Sequence, residues 1–173
     1  MSMLVDVSYF TSGPRQIRNA SIGKMPNPAS ITVNELINGY IKDLQGKFLN
    51  DIVGCTLGGQ IMDYLDLTGQ ETEADKEGNI SPYELVCRQI RDSFAYYVFF
   101  HILKNLNVDA TVTGLVQLKC ENKYVAPIQK QVSIWNGMVE RNRQFVRWAM
   151  SDECPYKVSI DKNLLTPINI FNL

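Results

Sequence analysis

The stretch from Phe94 to Leu103 constrains this chain more than any other. It contains five aromatic residues (Phe94, Tyr96, Tyr97, Phe99 and Phe100) and no formal charge at neutral pH. A clear helix start precedes it at Ser81-Pro82-Tyr83-Glu84: Ser81 suits the N-cap, Pro82 the first helical position and Glu84 a capping box. Leu85, Ile90, Phe94, Tyr97, Val98, His101 and Ile102 then make a broad apolar face. A helix apolar nearly all round must be central in a core or pressed against another subunit. The rest of the chain, or a neighbouring subunit, therefore has to cover it.

Three further helices are predicted. Thr32-Val33-Asn34-Glu35 fits a capping box, and Leu36, Ile37, Tyr40, Ile41, Leu44 and Phe48 follow at three-to-four spacing. This helix is expected to end near Asn50. Gly54 and the pair Gly58-Gly59 mark a tight turn and a weak start to a short second helix that ends about Leu67. Pro127 opens the way to a last helix from Ile128 to Met150, lined by Ile128, Val132, Trp135, Met138, Val139, Asn142, Val146 and Ala149, with Cys154-Pro155 beyond it. Between the third and fourth helices, residues 111–118 alternate over a few positions, a pattern that suits a short β segment or an extended loop. The fold class is mainly α, a four-helix bundle.

The ends differ from the middle. Residues 1–30 pass through Gly13-Pro14, Gly23, Pro26 and Pro28, so an extended N-terminal arm is expected. Residues 154–173 lack a helical period but carry apolar Leu164-Leu165 and Ile168 to Phe171, an extended C-terminal tail. The core domain is residues 31–153. Neither end can bury its apolar residues alone, so each must lie on the domain or on a neighbouring subunit. Leu4, Val7, Phe10, Phe99, Phe100, Leu164, Leu165, Ile168, Ile170 and Phe171 are the candidate subunit or partner contacts.

Catalytic chemistry finds little support. The chain has no P-loop, no Gly-x-Gly-x-x-Gly, no Gly-x-Ser-x-Gly and no His-Glu-x-x-His. His101 is the sole histidine, and an aromatic helix face suits packing better than general-base work. Cys55, Cys87, Cys120 and Cys154 have no Cys-x-x-Cys spacing and read as reduced, small hydrophobic residues. No catalytic, cofactor or metal residue is expected, and the chain is not expected to be an enzyme. The start lacks a signal-peptide pattern and no apolar run approaches a membrane span, which points to the cytoplasm.

Net charge is −1, which excludes a strongly basic, free-standing nucleic-acid binder. A local concentration remains: Lys119, Lys123, Lys130, Arg141, Arg143 and Arg147, with only Glu121 and Glu140 among them. Facing a channel, these six would contact DNA phosphates without sequence preference. An ordinary solvated helix face explains them too.

The arrangement resembles the head-to-tail connector (head-completion adaptor) family of tailed bacteriophages. Three parts carry the resemblance: Tyr40-Ile41-Lys42-Asp43-Leu44-Gln45-Gly46-Lys47-Phe48-Leu49 followed by Asp51-Ile52-Val53-Gly54; the aromatic helix Ile90 to Leu103; and the break Thr111-Val112-Thr113-Gly114-Leu115-Val116 before a long helix with Trp135 and Phe145. Together they span about residues 33 to 153. The resemblance implies a homo-oligomeric ring, commonly a dodecamer, beneath the portal protein. Such a ring extends the double-stranded DNA channel and docks the next tail or neck component. It further implies assembly in the host cytoplasm and residence in the virion neck, with no cofactor and no membrane partner. The long arm and tail depart from the family's minimal form. The competing readings are a tail-terminator or other neck protein, a small helical DNA-binding packaging factor, and an enzyme built around His101.

Overall fold

Four helices supply the framework. The computed structural model describes residues 2–23, 27–68, 81–106, 108–111, 114–117 and 127–169. Helix α1 spans Pro28–Val53, α2 Cys55–Thr68, α3 Pro82–Leu106 and α4 Pro127–Ala149. Between α3 and α4, β1 (Val108–Thr111) and β2 (Gly114–Gln117) pair antiparallel, with Val108 opposite Gln117. The mainly helical fold class holds.

The helix boundaries follow from local chemistry, and two differ from expectation. Helix α1 starts at Pro28, not after Thr32. Asn27 is the N-cap, its side chain accepting from the Ser30 amide at 2.8 Å, and Pro28 sits where its missing donor costs nothing. Thr32 instead donates its hydroxyl to the Pro28 carbonyl inside the helix. At the other end α1 runs to Val53, and Gly54 alone makes the turn, at φ +92°. That left-handed conformation favours a residue without Cβ. Gly58 and Gly59 lie near the start of α2. Gly58 has a packing role: a Cβ there would stand 3.2 Å from the Asn50 amide nitrogen, so α2 lies tightly against the end of α1.

The helices pack as antiparallel neighbours. Phe48 of α1 meets Phe94 and Tyr97 of α3 at centroid distances of 5.1 and 5.2 Å, while Tyr40 accepts a hydrogen bond from Asn105. Helix α4 runs back along α3: Asn142 lies beside Ser93, Arg141 beside Asp92, and Gln131 donates to the Leu103 carbonyl. Ile90, Phe94, Ala95, Val98 and Ile102 are fully buried. The aromatic helix is therefore the centre of this chain's own core.

Both terminal segments join that core. The arm is not extended. It folds into two 3-10 turns, Val7–Phe10 and Gly13–Arg15. Asp6 caps the first by accepting from the Ser8 amide, and Gly13, at φ +72°, admits the second beside Pro14. Leu4, Val5, Val7 and Phe10 are buried with the helices. The tail also departs from an extended course, with a 3-10 turn at Lys162–Leu165 capped by Asp161. Before it, Ser159 and Asp161 donate backbone hydrogen bonds to Val53 and Asp51 at the end of α1. Leu164 is buried, and its carbonyl receives the Asn142 side-chain amide at 2.8 Å.

Candidate functional surface

The most concentrated polar chemistry lies where the arm, α3 and α4 meet. Asp92 projects from α3 and accepts hydrogen bonds from Arg15 of the arm and Arg141 of α4. Both guanidinium groups also stack over Tyr96, at 4.6 Å for Arg15 and 4.0 Å for Arg141. Gly137 makes room for this arrangement, since a Cβ there would stand 2.9 Å from the Tyr96 ring. Burial pushes the Asp92 carboxyl up, but hydrogen bonds and charge from Arg141 and Arg15 outweigh it and hold it below the usual carboxylate range. This is a clamp joining three elements. Arg141 also donates to the Gly137 carbonyl at 2.9 Å. Arg141, expected as a channel contact, is thus held in place by Asp92, Tyr96 and Gly137.

The other described basic candidates take no part in that clamp. Lys130 is exposed and stands 5.3 Å over the Phe99 ring. Arg143 is exposed and donates to the Leu165 carbonyl at 3.3 Å. Arg147 is largely solvated and lies 3.9 Å from Glu140. Lys119 and Lys123 fall outside the described residues. The outward face of α4 interleaves Arg143 and Arg147 with Gln129, Ser133, Glu140 and Gln144.

The candidate contact residues divide differently from expectation. Leu4, Val7, Phe10, Phe99 and Leu164 are buried by their own chain. In this chain they are core residues: the arm and tail fold back onto the helices, and Phe99 faces inward from α3. Phe100 is half-buried against Trp135, whose indole donates to the Thr166 carbonyl at 2.9 Å. Leu165 is half-buried, and Ile168 is 41% exposed with its backbone bracketed by Asn136. Ile170 and Phe171 lie outside the described residues.

His101 packs edge-on against Tyr97 and Phe100. Burial, then the charges of Lys104 and Lys47, lower its pKa, which favours neutral imidazole. Cys87 is buried and its thiol is pushed up to about 12, chiefly by desolvation, so it packs as an apolar group. Cys55 is exposed and Cys154 half-buried, and Cys120 lies outside the described residues. Among the described residues no group of three or more His, Cys, Asp or Glu side chains is placed to hold a metal ion, and no helix is long and apolar enough to cross a membrane.

A groove of about 620 Å³ runs beside Gly54, between the α1–α2 corner and residues 156–161. Asp51, Cys55, Gln60 and Lys157 line it, and the Asp51 carboxylate is engaged by Lys47 at 2.8 Å. Sequence reading missed Gln45, Arg15, Asp92 and Tyr96 as organising residues. Gln45 alone left a trace, as a polar side chain four residues after Ile41 on the apolar stripe of α1. Comparison of the chain with protein-family models, with curated proteins and with solved structures gives no match.

Proposed function

We propose that this chain is a structural subunit of a ring, of the kind that connects the head of a tailed bacteriophage to its tail. The observation that carries the reading is the order and weighting of the helices. A long α1 turns sharply at Gly54 into a short α2, an aromatic α3 fills the centre, and a long amphipathic α4 follows a break. That is the order on which the resemblance to the connector family rests. The use of charge agrees with it: the Asp92 clamp consumes two arginines in joining elements.

In this reading the ring lies below the portal, extends the DNA channel and presents a docking face to the next neck or tail component. Of the six basic candidates for phosphate contact, Lys130, Arg143 and Arg147 are described and exposed. The test is native mass spectrometry of the purified chain with and without portal protein. A ring, formed alone or only on the portal, supports the proposal. A chain that remains monomeric and does not bind the portal overturns it.

A further inference from the structure

The arm is held as a bound peptide is held. Gln45, 1% exposed, accepts from the Leu4 amide at 2.6 Å and donates to the Ser2 carbonyl at 3.1 Å. It reads the arm's backbone as a neighbouring strand would. Arg91 donates to the Leu4 carbonyl at 3.2 Å, itself held by Glu84 at 2.8 Å. Val5 and Phe10 insert their side chains into the core, and Arg15 closes the far end on Asp92. These receiving groups come from α1 and α3, none of them from the arm itself.

The link to α1 is held more lightly. Ser21 and Asn34 exchange two hydrogen bonds, at 2.7 and 3.3 Å. Upstream, the Ala20 amide donates to the Ile17 carbonyl, closing a turn in which Asn19 adopts φ +70°. That is a left-handed conformation which a non-glycine residue leaves at little cost. Drawn out, residues 16–27 reach on the order of 40 Å. A folded chain of this length has a radius of gyration of about 16 Å, so the link can reach the same groove on an adjoining copy.

From this we infer that the groove between α1 and α3 is an exchange site, built to receive the arm of a second copy of this chain as well as its own. The contacts made are the same in either case. Separate copies keep their own arm, because its effective concentration at its own groove is high. Copies held side by side lose that bias, and opening the Asn19 turn then strings each subunit to the next. The inference deepens the ring reading, but its test does not depend on a portal.

The test is light scattering on the full chain with Arg18–Ala20 deleted, which removes the Asn19 turn and shortens the link that folds the arm back onto its own groove. Dimers or larger closed oligomers are expected, with the melting temperature of the parent chain retained. Adding Val5→Asp, which places a charge in the buried seat, should return these oligomers to monomers. If the shortened chain stays monomeric, whatever its stability, the groove does not accept an arm in trans and the inference fails. It fails equally if the oligomers persist with Val5→Asp, since they would then be held elsewhere. Failure of either kind leaves the portal experiment untouched, and a chain that ignores the portal can still exchange arms.

Discussion

At the scale of single residues, Asp92 concentrates most consequence in one carboxylate. Asp92→Asn keeps the shape but removes the charge opposed to Arg15 and Arg141. Because Asp92 is 45% exposed, the loss should be modest, about 1 kcal/mol at neutral pH. Its pH dependence identifies the cause. A carboxyl held low in the folded state contributes stability that is present above the unfolded value of about 3.9 and is lost as pH falls through the folded value. Thermal melts of the parent and the variant should therefore differ above pH ~5 and converge toward the acid limit. A constant offset at every pH would assign the effect to packing.

His101 gives a slope of the same sign in another range. Its pKa is lowered first by burial and then by Lys104 and Lys47. The unfolded chain thus takes up a proton near pH 6.5 that the folded chain resists, and stability falls on acidification through that region. His101→Gln should flatten the melting-temperature profile between about pH 7 and 5. An unchanged profile would mean that the ring titrates freely.

At the scale of elements, Gln45 and the arm act together. Gln45→Ala leaves the Leu4 amide without its partner in a buried seat. The expected cost is about 1–3 kcal/mol, concentrated in the arm. Hydrogen–deuterium exchange should show faster exchange at residues 4–10 with α3 still protected. Uniform acceleration would mean that Gln45 supports the whole core instead. The helices themselves were largely legible. Ser81-Pro82 announced α3, and the three-to-four spacing of Ile37, Ile41 and Phe48 announced α1. The start of α1 was misplaced because two capping signals lie close together, and Asn27-Pro28 prevails over Thr32-Glu35. The Asn27 cap adds another turn of helix and buries Ser30. The arm was misread because proline and glycine content speaks only of backbone preference, whereas Val5 and Phe10 gain far more by entering the core.

At the scale of the whole molecule, both ends are tied to the same bundle. The arm lies against α1 and α3, and the tail against α1 and α4. If the assembled ring holds duplex DNA, binding should weaken linearly with log salt. Combining Lys130→Ala, Arg143→Ala and Arg147→Ala should lower that slope by about 0.9 for each phosphate contact removed. Filter binding or anisotropy over a salt series measures it. An unchanged slope would place the channel lining on other residues, whereas Arg141→Ala should act through stability because Arg141 belongs to the clamp.

By itself the sequence determined the helix count, their approximate spans and the central place of the Phe94–Leu103 helix. These depend on periodicity and capping, which are local. It determined as well that the ends must be covered, because Leu4, Val7, Phe10 and Leu164 are too apolar to remain in water. Only the tertiary structure decided what covers them, and which arginine of α4 is spent on the fold. Those outcomes depend on side chains far apart in the chain: Arg15 with Asp92, Leu4 with Gln45, Leu164 with Asn142. Each pair meets only after the helices have packed, so no local pattern carries its signature.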